Sequence, residues 1–340
     1  MKNGNLKLSD VARVAGVSLS TASRALSRPQ RLSPATVDKV RSAAQLLGYV
    51  PHGAARALAS RRSRTIGAVI PTLDNSIFAS SVNAMQQSLA ASSFNLLLAS
   101  HGYDPMVELE VTRTLIERGV DGIAFVGTDH APALYELLGN FDIPYVFTWS
   151  LDMSAQHPSI GFNNRDAAIR VTRHLLDLGH KNLAVISGLN AHNDRSRDRV
   201  AGVREAMRAR GLELPDAAII EEPYSFLSGR QAMHELMQQR PRPTAVVCIN
   251  DVLAVGAIIG CQAEGVRIPQ DVSVTGFDDM EISGQLSPGL TTMRLPTVEL
   301  GRLTANYLLD RLAGKEIARL TELKVELVVR GSTAPPAPQD

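Results

Sequence analysis

Cysteine, aromatic side chains and long apolar runs are all scarce in this chain of 340 residues. Its two cysteines, Cys248 and Cys261, lie far from any His or Cys at metal-ligand spacing. That excludes a disulfide framework and a zinc site and leaves both as small buried residues. No apolar run approaches the roughly 18 residues that a membrane-spanning helix needs. The stretch from Met1 to Asp10 lacks the apolar core of a signal peptide, so the cytoplasm is the expected compartment. Phosphate-loop, dinucleotide, zinc-protease and nucleophile-elbow motifs are missing as well. His234-Glu235 has no second histidine behind it, the eight histidines are scattered, and Asp278-Asp279 is the one carboxylate pair in an expected cleft. A polar cleft without nucleophile or base binds and releases, so no catalysis, cofactor or metal is expected.

Acidic residues are nearly absent from the first sixty positions. Up to Arg64, the cations Lys2, Lys7, Arg13, Arg24, Arg28, Arg31, Lys39, Arg41, Arg56, Arg61, Arg62 and Arg64 face only Asp10 and Asp38. The formal net charge of the whole chain is +1, so the remainder is acidic to nearly the same extent. A cationic head on an anionic body points to a polyanionic partner at one end only. The length exceeds one ordinary core and suits two or three domains, and 44% apolar residues suffice to fold them.

The head carries three helix signals. Ser9 is the expected cap of a short helix with Val11, Ala12 and Ala15 on one face, stopped by Gly16. Ser18 caps a second helix that turns Ala22, Ala25 and Leu26 inward. Two helices joined by a three-residue turn containing Gly fit a helix-turn-helix. Ser33-Pro34 opens a third, with Val37, Val40, Ala44 and Leu47 at helical spacing up to Gly48. The second helix then presents Leu19, Ser20 and Arg24 outward, where a major-groove reader places base-contacting side chains. Thr21 and Ser23 suit phosphates, and the capping Ser18 is counted with them among the DNA-binding residues.

Behind Tyr49-Val50-Pro51 comes a short Ala-rich segment, residues 52–60, too brief to be a stable helix alone in water. The elements Val-Ala-Arg-Val-Ala-Gly-Val-Ser, Thr-Ala-Ser-Arg-Ala-Leu, Leu-Leu-Gly-Tyr-Val-Pro and Ala-Arg-Ala-Leu-Ala together resemble the LacI/GalR family of bacterial transcriptional regulators. The resemblance implies a hinge helix that folds when a dimer meets its operator. It makes Leu58 the apolar wedge in the minor groove at the operator centre, with Arg56 and Ala57 beside it.

From Ile66 the text changes to alternating strands and helices. Strands are expected at 66–70, 94–99, 122–126, 145–147, 183–187, 218–221, 245–249 and 272–277. Amphipathic helices are expected at 106–118, 166–178, 199–210, 228–239 and 252–264. Apolar strands spaced by helices imply parallel sheets, and eight units are too many for one. The fold class expected is therefore a small all-α helix-turn-helix domain plus an α/β two-lobed body with parallel sheets, which the resemblance makes periplasmic-binding-protein-like. The divisions are a DNA-binding domain over 1–51, a hinge and linker over 52–64, and an effector-binding and dimerisation domain over 65–340. Within the last, one lobe takes about 65–160 and 294–321, the other about 161–293 and 322–332. The crossings are placed near 160–162, 291–295 and 321–324.

Open α/β sheets bind ligands at the carboxyl ends of their strands. Ile77 and Phe78, Thr148 and Trp149, Phe162 and Asn163, the trio Arg195, Arg197 and Arg199, then Tyr224, Asn250 with Asp251, and Asp278 are the residues expected to line the cleft. An aromatic face suits the apolar side of a sugar ring, while Asp278, Asn250 and an arginine suit vicinal hydroxyls. The resemblance adds weight to Arg199, in an Arg-x-x-Gly element, and to Asp278, in Val-Thr-Gly-Phe-Asp-Asp. Packing is the alternative role for the aromatics, helix capping for Asn250 and Asp251, and surface ion pairs for Arg195 and Arg197. Asn163 and Thr148 stand where the family pattern often has an acid, which lowers the negative charge of the cleft. Beside three arginines, a sugar acid or other carboxylate then fits as well as a neutral sugar.

The expected partners are double-stranded operator DNA, a small-molecule effector and a second copy of the chain, with no membrane. The Pro-rich tail after Arg330 has no heptads, so a dimer is expected rather than a coiled-coil tetramer. A solute-binding protein for sugar uptake would share the body but not the basic helical head.

Overall fold

The computed structural model describes residues 6–27, 29–50, 62–74 and 76–338. The chain divides into two compact units, one over 1–65 with 117–121 and the other over 66–116 with 122–340.

The first unit holds helices α1 (Leu8–Ala15), α2 (Leu19–Ser27) and α3 (Pro34–Leu47). The start of α1 differs from the expectation. Ser9 lies inside the helix, and Asp10 reaches back to accept the Lys7 N–H at 3.0 Å, closing the first turn. Ser18 and Ser33 do cap α2 and α3, accepting from Thr21 N at 3.1 Å and Thr36 N at 3.4 Å. Gly16 and Gly48 end α1 and α3 in the left-handed conformation, φ +65 at each. Val11, Ala12, Ala22, Ala25, Val40, Ala43 and Ala44 form the core. Five of these seven are alanine, so the axes approach closely enough to exclude water without a large side chain.

The second unit has two six-stranded sheets. The first runs β11 (Leu320–Glu322), β5 (Ser159–Gly161), β4 (Tyr145–Thr148), β3 (Gly122–Val126), β1 (Thr65–Ile70), β2 (Asn95–Ser100). The second runs β12 (Glu326–Val328), β10 (Thr291–Arg294), β9 (Ser273–Asp278), β8 (Ala245–Cys248), β6 (Leu183–Ser187), β7 (Ile219–Glu221). The central strands β3, β6, β8 and β9 are buried along their whole length, as parallel strands covered on both faces must be. The pair β10–β12 is antiparallel.

Helices α4 (Ser76–Ala91) and α11 (Thr297–Leu312) pack together against the first sheet, and α5 (Pro105–Glu117) and α6 (Pro132–Asn140) complete that lobe. On the second, α7 (Asn164–Asp177) pairs with α8 (Asp194–Arg208) and α9 (Phe226–Gln238) with α10 (Asp251–Ala263). Gly301 lets α11 lie directly on α4: a Cβ there would strike the Ser81 carbonyl. The chain passes between sheets after β5, after β10 and after β11. Its tail docks back onto the second sheet, where buried Ser332 receives Thr291 N–H at 2.8 Å and donates to the Val274 carbonyl at 2.6 Å. Among the described residues no helix is long and apolar enough to cross a membrane.

Candidate functional site

Two surfaces carry chemistry. On the head, Leu19, Ser20 and Arg24 lie exposed on one side of α2, while Ala22 and Ala25 face the core. Arg24 is steered along the helix by its own backbone neighbour, with Nε donating to the Ser20 carbonyl at 3.2 Å and Nη2 to Ser20 Oγ at 3.3 Å. Ser18 Oγ lies 2.8 Å from Thr21 Oγ1, and Ser23 lends its carbonyl to Ser27. Thr21 and Ser23 are half-buried. Arg56, Ala57 and Leu58 lie outside the described residues.

In the second unit, strand ends from both sheets converge on one cavity. Its walls are Ile77, Phe78, Tyr103, Trp149, Arg195, Arg199, Tyr224, Asn250 and Asp278. The side from the first sheet is apolar and aromatic, with the Trp149 indole edge-on to Phe78 at 5.0 Å and to Phe162 at 6.2 Å. The side from the second is polar. Arg199 donates from Nε to Asn164 Oδ1 at 2.9 Å and from Nη1 to the Ile249 carbonyl at 2.7 Å, and its plane lies 3.7 Å above the Phe277 ring. Nη1 stands 3.7 Å from the Asp278 carboxylate.

Burial pushes the Asp278 carboxyl well above the carboxylate range, against the pull of Arg199. Burial likewise lowers Arg199 and raises the Tyr103 and Tyr224 hydroxyls. Asn250 splits its amide: Oδ1 accepts the Leu253 N–H at 2.9 Å and caps α10, while Nδ2 is buried with no hydrogen-bond partner among the described residues. Tyr103, Trp149 and Asp278 all have positive φ, at 65, 69 and 130. Strained backbone of this kind persists where the surroundings over-determine it and gathers at ligand sites.

A model described as "Bacterial regulatory proteins, lacI family" matches residues 7–52, and a periplasmic-binding-protein-like domain matches 172–333. Catabolite control protein A of Priestia megaterium is 30% identical, with 97% of this chain and 99% of that protein covered. The transcriptional repressor PurR of Vibrio vulnificus is 32% identical over 95% and 97%. The chain belongs to the lacI family of bacterial regulatory proteins. The solved lac repressor dimer, bound to operator and the anti-inducer ONPF, superposes with a TM-score of 0.85 at 28% identity, covering 97% of this chain and all of that one. The lacI-family chain is thus a transcriptional regulator with a helix-turn-helix head and a periplasmic-binding-protein-like body, and its relatives are regulators rather than enzymes.

Five residues expected in the effector site of this lacI-family protein do not line the cavity. Thr148 Oγ1 turns back to the Phe125 carbonyl at 2.6 Å. Phe162 is core, packed behind Trp149. Asn163 is exposed and caps α7 through Asp166 N at 3.0 Å. Arg197 is exposed and pairs with Asp129 of the first lobe. Asp251 is fully buried but spent on structure: it accepts from Thr292 Oγ1 at 2.6 Å, Met280 N at 2.8 Å and Ser283 Oγ at 2.5 Å, tying α10 to the segment after β9.

Tyr103 lines the cavity, and Asn164 and Asp194 hold its arginines, though the sequence pattern marks none of the three. Tyr103 follows β2, a strand end like those from which the other candidates came. Asn164 stands one place beyond Asn163, and only the phase of α7 shows that the second asparagine points inward. Asp194 forms a buried pair with Arg195 at 2.7 Å, a bond that no spacing rule discloses.

Proposed function

We propose that this regulator is a repressor whose hold on operator DNA is set by a small hydrophilic effector bound between the two lobes. The effector class that fits is a sugar, a sugar acid or a related carboxylate. One observation carries the reading: two arginines, an unpaired Asn250 donor, Asp278 and an aromatic wall meet at the ends of strands from both sheets. A carboxylate suits the donors, and ring or chain hydroxyls suit Asp278. The aromatic rings of Trp149 and Tyr224 offer the flat apolar contact that carbohydrates use.

We assign 1–51 to operator reading, 52–64 to the hinge and 65–340 to effector binding and pairing, in the cytoplasm where the DNA is. Two chains place their reading helices about one turn of DNA apart, with both Leu58 side chains at the centre. Apolar side chains left exposed at the edge strand β2, Leu97 and Leu98, and on α9, Phe226 and Leu227, support pairing. Effector binding that alters the angle between lobes changes the separation of the hinges. A hundredfold fall in occupancy requires about 2.7 kcal/mol of preference, inside the usual coupling range.

Calorimetric screening of the full chain against neutral sugars, aldonic and uronic acids and small dicarboxylates tests the effector class. Heat from any of these, together with a change in affinity for an operator selected from random duplexes, is the expected result. Binding of uncharged sugars alone overturns the acid, and no binding by any compound overturns the reading as a whole.

A further inference from the structure

Two ionic contacts join the lobes beside the cleft: the exposed Arg197–Asp129 pair and, buried behind it, the carboxylate of Asp194. Asp194, the first residue of α8 in the second lobe, is buried against the first lobe. Its Oδ2 accepts the Thr128 N–H at 2.8 Å and the Thr128 hydroxyl at 2.9 Å, and its Oδ1 accepts from Arg195 Nη1 at 2.7 Å. Burial works against this charge, but Arg195 and the Thr128 donors outweigh it and hold the Asp194 carboxyl below its ordinary range.

The receiving loop is built for that carboxylate. Gly127, with φ +94, lies so close that a Cβ would collide with both Arg195 and Asp194. Its carbonyl lies 3.2 Å from His130 Nε2, and His130 Nδ1 lies 3.0 Å from the buried Glu108. The Thr128 carbonyl accepts the Tyr135 hydroxyl at 2.6 Å. Glu108, His130 and Tyr135 have no part in the effector cavity, and their common effect is to fix residues 127 and 128. On the other side Arg195 lines the cavity, and the Tyr103 hydroxyl lies against it. With the lobes so joined, the cavity holds about 30 Å³ of free space, enough for a water or two but not for a sugar.

We propose that Asp194 is the positioning residue that latches the lobes together: its carboxylate holds Thr128 across the cleft and Arg195 in the cavity wall, so that admitting an effector requires the latch to yield. Asparagine at 194 keeps an acceptor for Thr128 but loses the charge that grips Arg195. Alanine removes both bonds and leaves the Thr128 N–H without its acceptor. Neither change touches the head.

Trp149, the single tryptophan, reports on the latch without any effector, so the outcome is independent of which compound the cleft binds. It is buried in the joined lobes and lines the cavity. In the full chain, Asp194→Ala is expected to red-shift Trp149 emission and raise acrylamide quenching severalfold, with Asp194→Asn between it and wild type. A variant that loses thermal stability while quenching stays at the wild-type value overturns the proposal, because Asp194 then only steadies the start of α8. Should Asp194→Ala not fold, Thr128→Val decides. It removes one donor of equal size and is expected to raise quenching measurably, and unchanged quenching again overturns the latch.

Discussion

Asn164 joins the backbone of Trp149 to the guanidinium of Arg199. Its Nδ2 donates to the Trp149 carbonyl at 2.8 Å while its Oδ1 accepts from Arg199 Nε at 2.9 Å. One buried amide thereby ties the aromatic wall of the cavity to its cationic wall. Asn164→Ala leaves a buried carbonyl and a buried N–H unpaired and is expected to lower the unfolding free energy by about 1–3 kcal/mol. Asn164→Asp retains the acceptor for Arg199 but loses the donor to Trp149. Its loss should be smaller, as denaturant titration of the two variants would show. Equal stability of Asn164→Ala and wild type counts against the bridge.

Arg24 is exposed on α2 and makes hydrogen bonds only to Ser20 of its own helix among the described residues. Arg24→Ala should leave the fold intact, relax base preference at one position, and weaken specific DNA binding by about 1–3 kcal/mol. Leu58→Ala is expected to weaken specific binding while sparing salt-driven nonspecific binding, since a wedge acts on DNA shape and not on phosphate charge. Competition binding against random duplexes at several salt concentrations measures both. Equal loss of specific and nonspecific affinity in the Leu58 variant removes it from the wedge role.

The helices of the head and the strands of the body were legible because each is a local pattern. Val37, Val40 and Ala44 repeat at helical spacing, and Gly122 to Val126 is a short apolar run with helices on either side. The cavity was legible only where a strand end marked it, as at Arg199, Asn250 and Asp278. What decided between neighbours was rotation: Asn163 against Asn164, or Asn250 against Asp251, differ by one helical step and therefore by about 100° of facing. Ser9 differs from its expected capping role for a related reason: Asp10, one helical step further on, closes the helix end instead. The Asp194–Thr128 contact joins positions 66 residues apart, and no pattern within either segment announces it.

Asn250 separates the acid from the neutral sugar. Its Oδ1 caps α10, so Asn250→Ala should cost about 1 kcal/mol of stability through the cap alone. Asn250→Asp keeps the cap, and even favours it at a helix N-terminus, but replaces the unpaired Nδ2 donor with a second carboxyl group beside Asp278 in the cavity. Affinity for an aldonic or uronic acid should then fall by about tenfold or more, equivalent to at least about 1.4 kcal/mol. A neutral sugar of the same size should lose much less. If calorimetry finds equal losses for both, the donor at 250 does not face a carboxylate.

Acid should loosen the first lobe before it reaches the latch. Burial lowers the pKa of His101, against the pull of Glu108, and both ring nitrogens lack hydrogen-bond partners among the described residues. Its folded value lies below the unfolded one, so the stability it contributes is present above the unfolded pKa of about 6.5 and lost as pH falls through the folded value. His180 and His174 are lowered by burial too and add to the same slope. Asp194 is lowered from an already acidic value, so its contribution persists until pH falls below the ordinary aspartate range of about 4. The imidazoles' share of the thermal stability should therefore decline from pH 7 toward pH 5, opposed by the Asp278 and Asp251 carboxyls that burial raises, while Trp149 emission from the folded chain stays constant. His101→Asn should flatten that decline, and a variant with the wild-type slope would assign the loss to His174 and His180 instead.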